Sequence, residues 1–209
     1  MKLYDFKMAP NARRVRIFAA EKGVGLELLP VDLSSREQLG EAYRAINPRM
    51  AVPALILDDD TLLTESVAIC RYIDELHPEP PLFGVGPRGR ATVEMWHRRV
   101  ELEGMQAIAD GIRNSVEFFK GRALAGAVDF EQIPALAERG KQRADLFYAM
   151  LDERLGESEY IAGDDFSIAD IAALVALDFA KVLKKRVGDD VPNLKRWYDA
   201  VSSRPSAGA

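Results

Sequence analysis

The stretch from Asn47 to Ile69 restricts what this chain can fold into more than any other. Val52-Pro53 opens the apolar run Ala54-Leu55-Ile56-Leu57, whose length and composition predict a buried strand. Asp58 to Asp60 supply a polar turn, and Thr61-Leu62-Leu63 return as the second arm of a hairpin. Pro53 has no N–H to give a ladder and holds Val52 extended. Proline commonly permits a cis bond at such a point, and Val52 is then free to offer its N–H and C=O to an extended peptide. Thr64-Glu65-Ser66 starts a helix with Val67, Cys70, Ile73 and Leu76 on one apolar stripe, and Pro78 stops it. Ser66 brings a hydroxyl and a free N–H to the positive end of that helix, which suits a carboxylate, and Glu65 suits an ammonium. Together these groups describe a receptor for a small zwitterionic peptide.

The remaining pattern divides the chain in two. Residues 2–6 read as a strand, Met8 to Asn11 as a turn, Ala12–Lys22 as a helix, 26–31 as a second strand and 36–46 as a second helix. The order β-α-β-α-β-β-α implies a parallel pair joined to an antiparallel hairpin. Seven prolines and glycines between Pro78 and Gly89 predict a linker over 79–89. Beyond it the pattern is wholly helical: 90 to about 120, about 134–155, 167 to about 183, and about 193–203. Ser167-Ile168-Ala169-Asp170 is a capping box, with Phe166 and Ile171 placed as a staple. The helix it opens carries only Asp170 and Asp178 as charges, so it is expected at the centre of the helical domain.

A net charge of -5 argues against nucleic acid or an anionic membrane as partner. The N-terminus lacks a signal-peptide pattern, and a single cysteine excludes an internal disulfide framework, so a cytoplasmic location is expected. Two histidines and that cysteine, widely spaced, offer no soft-metal site.

The loop at Val52-Pro53, the Glu65-Ser66 pair, the linker and the capped central helix together resemble the cytosolic glutathione transferases, from Lys2 to about Pro205. The resemblance implies an α/β thioredoxin-like domain over 1–78 that binds glutathione. An all-α helical domain over 90–209 would then hold the electrophile. It further implies glutathione as co-substrate, a homodimer and a role in detoxification. Arg71, Glu75, Glu94, Arg98 and Glu101 give the third and fourth helices charges compatible with a two-fold dimer.

Two departures bear on the chemistry. In the family a Tyr, Ser or Cys after the first strand activates the thiol; here that place falls near Ala9, and Tyr4 lies inside the strand. The segment Ala9-Pro10-Asn11-Ala12 resembles bacterial and fungal subgroups whose thiol partner is an Asn amide, or backbone and water. Asn11 can therefore donate to the sulfur, or cap the first helix, or do both. Cys70, on the core face of the third helix, is expected to be inert. Met50-Ala51 replaces the family's Gly and long polar residue, so Gln38 or Arg13 would have to meet the glycine carboxylate in place of Ala51. His97 is either a base acting through water from the long helix or a surface residue beside Trp96. Met8, Met105, Ile108, Arg113, Phe118 and Phe119 are candidates for the electrophile pocket, apolar with one cation. The expected activity is glutathione transfer. Glutathione-dependent disulfide or peroxide reduction, and non-catalytic ligand binding on the same fold, stand as alternatives.

Overall fold

Leu3 and Leu55 are both completely buried and face each other across the central pair of a four-stranded sheet. The computed structural model describes residues 1–209. Strands β1 (Lys2–Asp5), β2 (Glu27–Pro30), β3 (Ala54–Ile56) and β4 (Leu62–Thr64) lie in the order β2-β1-β3-β4. β1 runs parallel to β2 with Leu3 opposite Leu28, and antiparallel to β3, which pairs with β4 through Leu55 and Leu63. Helices α1 (Pro10–Glu21), α2 (Glu41–Ile46) and α3 (Ser66–Leu76) complete a thioredoxin-like α/β domain. The helix expected over 36–46 is broken: residues 37–39 form a 3-10 turn, and extended Gly40 separates it from α2.

The helical part consists of α4 (Gly86–Arg99), α5 (Gln106–Arg113), α6 (Pro134–Glu157), α7 (Ile168–Ala180) and α8 (Pro192–Ser202). The proline- and glycine-rich stretch stays irregular only to Val85, and α4 starts at Gly86 rather than 90. Pro87 sits in the first turn, where its missing N–H leaves no helical bond unmade, so it opens the helix. α4 and α5 are continuous through a π-helical segment, Val100–Met105, whose wider turn shifts the faces of α5 relative to α4.

α7 buries eleven of its thirteen residues and is the axis of this half. Its start matches the expected capping box. Ser167 Oγ accepts from the Ala169 N–H, and the Asp170 carboxylate accepts from the Ser167 N–H and Oγ at 3.0 and 2.9 Å. The same carboxylate also accepts from the Ile161 N–H at 3.0 Å and Trp197 Nε1 at 2.9 Å, tying α8 and the preceding loop to the cap.

α1 joins the two halves. Glu21 receives Arg204 at 2.8 and 2.7 Å, Arg13 pairs with Asp178 of α7, and Lys22 Nζ pairs with Asp74 of α3 at 2.6 Å. No helix of the chain is long and apolar enough to cross a membrane.

The crossing of α5 and α6 is set by two glycines. A Cβ on Gly140 would lie 2.5 Å from the Gly111 nitrogen and 2.6 Å from the Ala107 oxygen, both backbone atoms; one on Gly111 meets chiefly the flexible Leu183 side chain. Gly140→Ala is therefore expected to lower the unfolding free energy by about 1–3 kcal/mol, seen as a lower urea midpoint, despite alanine's better helix propensity, and more than Gly111→Ala does. A raised midpoint for Gly140→Ala would contradict this close approach.

Candidate functional site

A cleft of about 590 Å³ runs between the two halves. One wall is made by three loops of the sheet domain, carrying Phe6 to Asn11, Leu33 to Leu39 and Met50 to Val52. The other is α5 with the segment after it, closed by Phe179 at the end of α7 and by Val182. Of the residues singled out from sequence, Met8, Ala9, Asn11, Gln38, Ala51, Val52, Met105, Arg113 and Phe118 all line it.

The start of α1, Ala9 to Asn11, borders this space. Ala9, not Asn11, is the N-cap residue, and it has no side chain with which to cap. The helix begins at Pro10, earlier than the Ala12 expected, because proline at the first position already has helical φ. Asn11 therefore occupies the first turn, with its side chain exposed and unused in capping. The N–H groups of Asn11 and Ala12 have no backbone acceptor, which leaves two donors at the positive end of the helix. Tyr4 packs edge-on against Tyr43, 5.7 Å between ring centres, and does not line the cleft.

Opposite α1, Val52 leads into β3 across a cis bond to Pro53, and neither its N–H nor its C=O has a backbone partner. The neighbouring Ala51 carbonyl is held by Tyr43 Oη and Asn47 Nδ2, each at 2.8 Å, so the loop is fixed from behind while Val52 stays open. Burial pushes the Tyr43 hydroxyl up to about 12, and it stays a donor at any physiological pH. Gln38 is 7% exposed, and its Oε1 is buried without a hydrogen-bond partner. A buried amide oxygen is costly unless a donor meets it, and the Nε2 of the same amide, engaged in no hydrogen bond within the chain, is left to donate.

Glu65 and Ser66 lie beside this loop but off the cleft's lining. Glu65 adopts φ 64°, ψ 114°, a backbone conformation that L-residues rarely hold, and its side chain is exposed with Arg49 3.5 Å away. Ser66 is buried, and its Oγ accepts from Arg14 Nη1 at 3.0 Å. That leaves the hydroxyl proton, and the unpartnered Ser66 N–H, to be donated elsewhere. Arg14 is the residue that the sequence did not single out. Spacing on α1 gave no hint that a charged side chain would turn inward to α3.

Arg13 does not reach the cleft. Its guanidinium is committed to Asp178 and to the Ala207 carbonyl, and it is not among the lining residues. Ile108 is fully buried in the core, because the cleft takes the stripe Met105, Ala109, Ile112 and Arg113 and leaves Ile108 at its edge. Cys70 is fully buried, and burial pushes its thiol up to about 12, which makes it inert.

The chain matches two family models: glutathione S-transferase, N-terminal domain, over residues 3–81, and glutathione S-transferase, C-terminal domain, over residues 118–205. It is similar to glutathione S-transferase 2 of Saccharomyces cerevisiae, 32% identical over 215 residues that cover 99% of this chain and 87% of that protein. Among solved structures, a glutathione S-transferase domain-containing protein of Marinobacter aquaeolei aligns with a TM-score of 0.89 at 36% identity over 99% of both chains. A glutathione S-transferase of class Gtt2 from Vibrio parahaemolyticus aligns with a TM-score of 0.83 at 38% identity, over 99% of this chain and 94% of that one.

His97 is neither a cleft residue nor a surface one. It is 0% exposed, both ring nitrogens lack hydrogen-bond partners, and Nε2 lies 3.9 Å from Glu101 Oε1. The cleft is bordered by α5, downstream of the π-helical segment, while the inner face of α4 turns His97 into the junction with Arg14. Burial pushes the imidazole down from 6.5 to about 4; Glu101 works upward, and Arg14, Arg98 and Arg71 downward. A folded value below the unfolded one means that the unfolded chain takes the proton first. The associated stability is complete above about pH 6.5 and is lost as pH falls toward 4. Urea denaturation should show the wild type losing roughly 2–3 kcal/mol across that window through this residue. His97→Gln should lack that part of the slope, and parallel curves would place His97 in contact with solvent protons.

Proposed function

The chain belongs to the glutathione transferase family, with glutathione as its co-substrate, and we propose that it activates the thiol of bound glutathione at the start of α1 for attack on an apolar electrophile. The observation that carries this reading is the arrangement of the cleft. Free donors of α1 stand on one side, an open valine backbone and an unpartnered glutamine beside them, and an apolar helical wall opposite.

The roles follow from the chemistry of each group. Val52 pairs with the peptide backbone through its free N–H and C=O next to Pro53. Glu65 takes the ammonium and Ser66 the carboxylate of the γ-glutamyl end, with Arg14 holding the Ser66 oxygen so that its proton points outward. Gln38 donates from Nε2 to the glycine carboxylate, a contact Ala51 has no side chain to make. A free thiol titrates near 8.5, and a helix N-terminus with a nearby donor lowers such a group to roughly 3.5–7.5. The Asn11 and Ala12 amides, and the Asn11 side chain, supply those donors. Ala9 contributes by leaving room rather than by any polar group. The chain thus falls in the subgroups whose thiol partner is Asn, backbone or water. The thiolate adds to the electrophile, or displaces a leaving group that departs with its electron pair, while the thiol proton passes to solvent.

Glutathione binding is assigned to residues 1–78 and the acceptor pocket, with Met8, Met105, Arg113 and Phe118, to the contribution of residues 90–209 against them. The linker of 79–89 overlaps the first turn of α4. Cytoplasmic location, a detoxifying role and a homodimer complete the reading; the Arg71–Glu94 pair, 3.8 Å apart on the outer faces of α3 and α4, suits a two-fold contact.

The test is the ultraviolet thiolate absorbance of glutathione bound to the protein, titrated over pH. The wild type should hold the thiol at least one unit below its free value near 8.5. Asn11→Ala should return part of that shift, the helix amides keeping the rest. Gln38→Ala should weaken glutathione binding about tenfold, as for a lost bond to a charged group, and Gln38→Glu should weaken it further by repulsion. Bound glutathione with an unshifted thiol would replace the transferase mechanism by simple carriage.

A further inference from the structure

The helical wall of the cleft carries two guanidinium groups, Arg113 and Arg122, neither in an ion pair. Arg113 is anchored: Nε donates to the Ala123 carbonyl at 3.0 Å and Nη2 to the Arg122 carbonyl at 2.7 Å, and the group lies 4.6 Å from the Phe119 ring centre. Arg122 is not anchored. Its guanidinium makes no hydrogen bond, its Nε is buried without a partner, and it lies 5.4 Å from the Phe118 ring centre. Burial holds both groups below the usual arginine value, with Arg122 adding to this at Arg113, and Arg36 adding to it at Arg122 while Asp129, too far for an ion pair, works upward there. The carboxylate lining the cleft, Asp110, is engaged by Gln106 at 2.9 Å. Two half-buried like charges on an aromatic wall are unfavourable by themselves and become favourable when an anion sits between them.

We propose that the acceptor this cleft selects is an aromatic electrophile bearing a carboxylate or sulfonate, its ring on Phe118 and its oxyanion on Arg122, with Arg113 fixed behind. This deepens, and rests on, the transferase reading above. The sequence-based expectation of an apolar pocket with one cation saw Arg113 and missed Arg122, because the second arginine comes from the irregular segment after α5. A planar guanidinium suits a carboxylate or sulfonate through two parallel N–H donors, and an aromatic ring can share the Phe118 face. The wider chain, at net charge -5, gives no general attraction for anions, so selection has to come from this pair.

The experiment compares a chlorodinitrobenzoate with its carboxamide at saturating glutathione near neutral pH, each rate divided by its uncatalysed rate. In both, sulfur forms a bond to the ring carbon and chloride leaves with the C–Cl electron pair. The wild type should favour the benzoate in kcat/KM by roughly tenfold or more, the size of a charge-assisted contact. Arg122→Gln should bring the ratio near one, and Arg122→Lys should keep part of it. Arg122 makes no side-chain hydrogen bond, so both variants are expected to fold, with thermal melts as the check. An equal ratio in wild type and Arg122→Gln overturns the proposal. So does a loss confined to the KM for glutathione, which would assign the arginine to the tripeptide's own carboxylate. Absence of turnover with both acceptors would instead remove the transferase chemistry, and this inference with it.

Discussion

A single buried guanidinium sets the terms for this molecule. Arg14 is 1% exposed, deep in α1, and an arginine cannot shed its proton to make burial easier. It must be met by partners from other elements: Glu101 of the π-helical segment at 2.8 Å and Ser66 of α3 at 3.0 Å. One charge therefore ties the sheet domain to the helical half and fixes the distance between them. Removing either partner would leave a charge stranded in a region where Arg14 Nε and Nη2 already lack acceptors. His97, packed at the same junction and held neutral, fits this setting, since a second positive charge there would oppose Arg14 directly.

The candidate site inherits its geometry from that junction. α1 is held by Arg14 at one face, by Arg13 to Asp178 at another and by Glu21 to Arg204 at its end, so its N-terminal turn is fixed at the border of the cleft. Ser66 belongs to the same junction, since its oxygen satisfies Arg14 while its own proton stays undonated. The rare backbone conformation at Glu65 is held between β4 and α3, both anchored in the core, so packing on either side sustains it. On the opposite wall the π-helical segment decides which face of α5 meets the cleft.

What could be read from the chain was whatever rests on local rules. The apolar run after Pro53 and the polar turn Asp58 to Asp60 mark the hairpin of β3 and β4, and Ser167 to Asp170 mark the start of α7. Composition marks the stretch after α3 as irregular, but it does not distinguish a proline that breaks a helix from one, Pro87, that opens it. Side-chain direction was harder. Arg13 and Arg14 are neighbours with opposite fates, one on α7 and one on α3, and no local rule distinguishes them. His97, Ile108 and Gln38 were each assigned by residue type, and burial put the first two away from the cleft and the third within its wall.

The sequence by itself determined the order of elements and the capped axis helix, because periodicity, caps and turns act over a few residues. Only the tertiary structure decided which side chains share the cleft and which turn away: Arg122 stands beside Arg113 above two phenylalanines, while His97 and Ile108 are buried elsewhere. The reason is physical. Elements far apart in the chain meet according to where buried charges find partners, and those pairings, Arg14 with Glu101 first among them, leave no trace in local spacing.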